Sequence, residues 1–226
     1  MKIVVSGPLQ CGKSSFIKSL DEKALNVEAK ARDNKFYTVG MDLGIVRLNG
    51  FDVFLFGTPG LLRFKVMRDV IIQGSDGVIF IFDAAHPEKD EDALIILNAL
   101  RKTTGVDTPI VYLANKQDIA GARHAEVVRS QNYLRDDAVI FPTSTRTGEN
   151  LKESLKYLVN LIYDNYSSLL TVLRSYETDI EGLAEKLEKN PVEMRDLLNN
   201  LEIKRFIEVD RLKRTYKVKH GLKLLL

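Results

Sequence analysis

Gly7-Pro8-Leu9-Gln10-Cys11-Gly12-Lys13-Ser14 is the stretch on which the reading of this chain turns. It spells G-x-x-x-x-G-K-S, directly after the apolar run Ile3-Val4-Val5 and just before a helical segment, Ser15 to Leu20. Strand, glycine loop and helix in that order are the context a phosphate-binding loop requires. Glycine at 7 and 12 removes Cβ atoms where the backbone must curl, so successive N–H groups can point inward at phosphate oxygens. The following helix turns its positive end toward the same anion. The expected phosphate contacts are Gly7, Gln10, Cys11, Gly12, Lys13, Ser14 and Ser15. Lys13 would reach the β- and γ-phosphates and Ser14 would ligate Mg2+.

Downstream, residues 22–37 are polar and weakly periodic and read as a loop. Leu43 to Leu48 and Phe51 to Phe56 read as two antiparallel strands joined by an Asn49-Gly50 turn. The second strand ends in Gly57-Thr58-Pro59-Gly60; in a phosphate-loop protein a loop here can reach the γ-phosphate, and the N–H of Gly60 would donate to that oxygen. Leu61, Leu62, Arg63 and Phe64 then open a stretch with two readings, a core helix or an exposed apolar surface for a partner. Val78 to Asp83 and Ile110 to Ala114 are apolar throughout, as strands covered on both faces are. Ala138 to Phe141 is the last strand of the series. Helical spacing marks Asp90 to Lys102 and Gly148 to Asn165. Strands alternating with helices imply an α/β fold, a doubly wound, six-stranded, mostly parallel sheet.

The chain has 226 residues, 45% of them hydrophobic and 28% charged, which excludes a disordered chain. A net charge of +2 does not by itself call for nucleic acid or membrane. Cys11 is the single cysteine, so an intrachain disulfide is excluded and a reducing compartment is expected. Inside the loop, Cys11 reads as a small filling residue rather than a redox thiol. His86 and His124 lack metal-ligand spacing and read as surface or hydrogen-bonded residues. With no transmembrane segment, secretion signal or lipid anchor in the pattern, the expectation is a cytoplasmic protein.

Two further elements name the base. Asn115-Lys116-Gln117-Asp118 follows one strand and Ser144-Thr145-Arg146-Thr147-Gly148 follows the next. The first resembles the N-K-x-D element of small GTPases, whose carboxylate, here Asp118, pairs with two N–H donors of guanine that adenine lacks. The second resembles the S-A-K-x-G element, and Ser144, Thr145 and Arg146 are the expected supports for the guanine oxygen. Residues 1–165 thus resemble a Ras/Arf-like GTPase domain, which implies GTP/GDP and Mg2+ as ligands. The run Thr38-Val39-Gly40 is similar to Arf-type switch I, so Thr38 would join Ser14 at the metal. Lys13, Thr38 and Gly60 would form the catalytic set, and a protein effector and GAP- or GEF-like regulators would be partners. The wider pattern, T-V-x-M-D and then L-F-G-T-P-G, resembles a group of prokaryotic GTPases that includes those of conservons.

Two positions depart from the Ras pattern. Gly57 stands where a D-x-x-G aspartate would hold a water on Mg2+, and Leu61 stands where a glutamine would orient the attacking water. Slow intrinsic hydrolysis is therefore expected, and a pseudo-GTPase that holds nucleotide without cycling is the extreme alternative.

Residues 166–226 read as a small winged helix-turn-helix domain. Thr178-Asp179 and Asn190-Pro191 open two helices, and Phe206 to Val209 and Thr215 to Val218 form two strands. Residues 200–226 hold eight Lys or Arg against three acids. Arg211, Lys213 and Arg214 are therefore candidate nucleic-acid contacts, although a protein-interaction role is the favoured reading.

Overall fold

Hydrophobic strands in a chain of this pattern have one low-energy arrangement, side by side with helices covering both faces. The computed structural model describes residues 1–26, 28–30, 36–38, 41–48, 51–105 and 107–219, with only the backbone described at 28–30 and 36–38. In chain order the first elements are β1 (Lys2–Ser6), α1 (Lys13–Leu20), β2 (Glu28–Lys30), β3 (Phe36–Thr38), β4 (Asp42–Leu48) and β5 (Phe51–Gly57). They continue with α2 (Lys65–Ile72), β6 (Gly77–Asp83), α3 (Asp90–Thr103), β7 (Ile110–Asn115), α4 (Ala125–Gln131), β8 (Ile140–Pro142) and α5 (Leu151–Arg174). The last are α6 (Ile180–Lys186), α7 (Pro191–Ile203), β9 (Ile207–Asp210) and β10 (Thr215–Val218).

The main sheet has six strands in the order β4-β5-β1-β6-β7-β8. The ladders β1–β5, β1–β6, β6–β7 and β7–β8 are parallel. All seven residues of β6 are buried, the outcome its unbroken apolar run predicts. Phe80, Phe82 and Tyr112 pack with ring centroids 5.0–6.3 Å apart in the core beneath α3. The Tyr112 hydroxyl escapes an unsatisfied burial by accepting a hydrogen bond from Arg101 at 3.0 Å. Because the strands run parallel, the loops after β1, β5, β6, β7 and β8 leave from one edge of the sheet, which is where sites of such folds gather.

Four details differ from the sequence reading, the first being α4, a helix over Ala125–Gln131 where none is read. Part of 22–37, read as loop, forms the short antiparallel pair β2–β3. Three-residue strands pair by backbone alone and leave no periodic signature. The last sheet strand starts at Ile140 rather than Ala138, because the Ala138 N–H closes a turn on Arg135 O. Helix α5 begins at Leu151 rather than Gly148, since Gly148 and Asn150 both have positive φ (85° and 55°) and belong to the preceding turn. The Asn49-Gly50 turn lies outside the described residues.

The chain divides into two compact units, one of 2–46 and 53–159, the other of 1, 47–52 and 160–226. In the second, Leu170, Leu173, Leu183, Met194, Leu198, Leu201, Ile207 and Val218 are buried. Phe206 stacks between Phe51 and Tyr166, with centroids 6.2 and 4.8 Å away. Asn190 caps α7 with a full capping box, accepting from Val192 N and Glu193 N while Glu193 Oε2 accepts from Asn190 N, each at 3.0 Å. Strands β9 and β10 pair antiparallel, and the buried Tyr216 hydroxyl donates to Leu173 O at 2.7 Å. Among the described residues no helix is long and apolar enough to cross a membrane.

Candidate nucleotide site

The loop after β1 curls as its glycines require: Gly7 has φ 146°, Gly12 has φ 111°, and Gln10 between them is also left-handed at 57°. Only glycine fits at 12, since a Cβ there would stand 2.3 Å from Asn115 Nδ2. Lys13 opens α1 and is buried, with Nζ donating to Gly7 O at 3.0 Å and Pro8 O at 2.6 Å. Its ammonium rests on carbonyl dipoles inside the loop, so the charge is oriented but not cancelled. The Cys11 thiol is buried in the same loop, and burial pushes its pKa up despite nearby Lys13. That fits the filling role and not that of a reactive thiolate. Ser15 is exposed on the first turn of α1.

Gly60, after β5, packs against this loop so closely that a Cβ would lie 2.7 Å from Leu9 Cα and 2.8 Å from Lys13 Nζ. Its backbone thus stands beside the ammonium expected to meet phosphate. The chain beyond it is pinned by buried Arg68, which donates to Pro59 O (3.2 Å), Leu61 O (2.5 Å) and Leu62 O (3.0 Å). Leu61, Leu62 and Phe64 are half-buried, Leu62 against the core, and Arg63 is exposed. One turn on, Val66 and Val70 are strongly exposed while Ile71 and Ile72 are buried. Helix α2 thus combines a core face with an exposed apolar face.

Ser14 Oγ donates to Asp42 Oδ2 at 2.7 Å. Asp42, the first residue of β4, is nearly inaccessible. A hydroxyl and a carboxylate in contact beside a phosphate loop are the hard oxygen donors that Mg2+ takes, so the residues present fit that ion. The Thr38 side chain, the second expected ligand, lies outside the described residues.

The loops after β7 and β8 meet across Asn115, which is fully buried. Its Nδ2 donates to Cys11 O at 2.8 Å, and its Oδ1 accepts from Thr145 N at 3.1 Å. One amide therefore ties the phosphate loop to the loop expected to support the base. Asp118 Oδ1 accepts from Ser144 Oγ at 2.6 Å, and the Ser144 hydroxyl oxygen in turn accepts from Arg146 N and Thr147 N. Arg146 itself is exposed and 4.0 Å from Asp118, a loose pair of little energetic weight. Lys116, at φ 75°, reaches Asp83 Oδ2 at 2.6 Å. Asp83 is buried and also bonded by Lys89 (2.7 Å) and His86 (2.9 Å). Burial alone would raise its pKa. The three hydrogen bonds outweigh that and hold the carboxyl below its ordinary value.

Asp42 and Asp83 were not among the residues singled out from sequence. The available signal for Asp83 was an acid ending a wholly apolar strand. For Asp42 it was an acid starting the strand next to the one that ends at Gly57. In the C-terminal unit, Arg211 makes two contacts to Glu202 (3.2 and 2.6 Å), and Lys213 lies 3.9 Å from Asp210. Arg214, exposed, has φ 51°.

Lys13 thus stands beside Gly60, and Asn115 joins its loop to the loop of the Asp118–Ser144 pair. The model of the Ras family matches residues 2–164. This chain belongs to the Ras family. It is a small GTPase. Among curated proteins it is similar to the uncharacterized protein MJ1339 of Methanocaldococcus jannaschii, 27% identical over 129 residues, 56% of this chain and 77% of that protein. It is also similar to ADP-ribosylation factor-like protein 4D of Homo sapiens, 27% identical over 168 residues, 72% of this chain and 83% of that protein. ADP-ribosylation factor-like protein 3 of Saccharomyces cerevisiae is 22% identical over 174 residues, covering 74% of this chain and 87% of its own length.

Proposed function

We propose that this Ras-family chain is a guanine-nucleotide switch that hydrolyses GTP slowly and acts on a protein partner. The observation that carries the reading is the single buried amide of Asn115, which joins the Lys13 loop to the Asp118–Ser144 loop. Lys13 and the loop N–H groups bind the phosphates, and Asp118 selects guanine with Ser144, Thr145 and Arg146 around the base. Mg2+, when bound through Ser14 and Thr38, supplies charge neutralisation on the β- and γ-phosphates. The Gly60 N–H and Thr38 sense the γ-phosphate, so the segments around Thr38 and from Gly60 to Arg68 order in one nucleotide state and relax in the other. Leu61 offers no hydrogen bond to an attacking water. Unassisted turnover is therefore at or below the order of 10⁻⁴ per second, the slow end of intrinsic rates in such enzymes. Single-turnover hydrolysis of GTP tests this, and a rate well above that value removes the slow-switch reading.

Residues 166–226 serve, on this reading, as a winged-helix-like module for a protein. Support comes from the close pairing of Arg211 with Glu202 and of Lys219 with Glu208, which spends cations a nucleic acid would need. A cavity of about 970 Å³ lined by Ile180, Ala184, Met194, Leu198, Arg195 and Arg211 offers mixed apolar and charged contacts of the kind protein partners use. Cytoplasmic placement goes with this proposal.

A further inference from the structure

Gly57 leaves the family's aspartate position without a side chain, and the space is already taken. A Cβ built on Gly57 would lie 2.7 Å from Asp42 Oδ2 and 2.8 Å from Asp42 Cβ. Real Cβ atoms do not approach other atoms so closely, so an aspartate at 57 and one at 42 exclude each other as the backbone stands. Asp42 enters from β4, the sheet neighbour of the strand that ends at Gly57. It is 2% exposed and accepts the hydroxyl proton of Ser14 at 2.7 Å. Ser14 is the residue expected to touch the metal, so the carboxylate stands one hydrogen bond from the ion's position.

We propose that the carboxylate of the metal shell has moved one strand across the sheet: Asp42 does for Mg2+ what an aspartate at 57 would otherwise do. The inference rests on reading residues 7–14 as the phosphate loop and deepens it. Asp42 orients Ser14 and offers its negative charge to the ion's hydration shell. Gly57 is then a requirement of that carboxylate's position and not a lost function. Mg2+ dependence of nucleotide retention should be as strong as in a protein with the usual aspartate.

The test is release of mant-GDP, chased with excess GDP, across a buffered Mg2+ series that begins in EDTA. Wild type, Asp42→Asn and the double variant Asp42→Gly/Gly57→Asp are compared. In wild type, Mg2+ slows release. In Asp42→Asn the Mg2+ concentration giving half the effect rises about 10- to 100-fold, the usual cost of losing an outer partner of a metal site, with release in EDTA unchanged. The double variant returns the carboxylate from the other strand and regains the wild-type midpoint. A wild-type midpoint in Asp42→Asn overturns the proposal, as does acceleration that is equal in EDTA and in Mg2+, which would mark a purely structural role. Should Asp42→Asn fail to fold, the double variant decides: Mg2+-slowed release supports the exchange and its absence overturns it. Wild type that binds mant-GDP without any Mg2+ effect overturns this inference alone. Wild type that binds no mant-GDP overturns the nucleotide reading with it.

Discussion

Lys13 and Arg211 are both cations beside a tight turn, and the chain treats them in opposite ways. Lys13 is buried and its ammonium lies on the carbonyls of Gly7 and Pro8. Dipoles hold it in place and leave its charge whole. Arg211 is in water and bound on two atoms by Glu202, which lowers the Glu202 pKa and returns the local charge toward zero. Counting Lys and Arg ranks the hairpin as the more basic region. What decides anion binding is which cation meets a carboxylate first.

The largest effect that sharpens this contrast is expected from Lys13→Ala, which should weaken mant-GDP binding roughly 100-fold, the loss of a charge-assisted contact of about 3 kcal/mol. An unchanged Kd in a fluorescence titration would erase the distinction between the two cations. Asp83→Asn comes next. It removes the negative charge that Lys116, Lys89 and His86 share and leaves them one acceptor oxygen in place of two, and stability at pH 7 should fall by about 3 kcal/mol, the lower end for breaking a buried ion pair. The sign with pH follows from the depressed carboxyl. Its stabilisation is present above the ordinary value of 3.8 and disappears as pH falls from there through the lower folded value. Urea melts of the two proteins should therefore converge toward acid. A constant gap down to the lowest pH would show that Asp83 acts by packing.

Tyr216→Phe probes the other unit. Loss of the hydroxyl on Leu173 O should cost about 1 kcal/mol in urea unfolding. Burial, with Glu177 and Asp179 nearby, pushes the Tyr216 pKa up, so wild type should lose stability as pH rises past the ordinary value of 10.0. The variant should lack that alkaline loss. The smallest effect is expected from Arg211→Ala, Lys213→Ala and Arg214→Ala together. Fluorescent duplex DNA should not bind wild type at about 50 mM salt in either nucleotide state, and the triple variant should look the same. Wild-type binding with a steep salt slope, lost in the variant, would break the comparison and make the hairpin an anion site after all.

Local pattern carried much of this reading. The glycine spacing at 7 and 12, the unbroken apolar run 77–83 and the Asn190-Pro191 start of α7 each work through neighbours in sequence, so each was legible there. Asn115, Asp118 and Ser144 were legible as motifs, but not the fact that one amide of Asn115 spans two loops. The sequence by itself determined most of the element types and the six-stranded sheet, because backbone periodicity and turn chemistry are local. Only the tertiary structure decided that Asp42 fills the space over Gly57, that Asp83 holds Lys116, and that Arg68 pins the chain after Gly60. Strand pairing and long-range packing bring two of these pairs together, and the third depends on which way the first turn of α2 faces. No periodicity along the chain encodes which side chain will reach across a sheet into a neighbour's space.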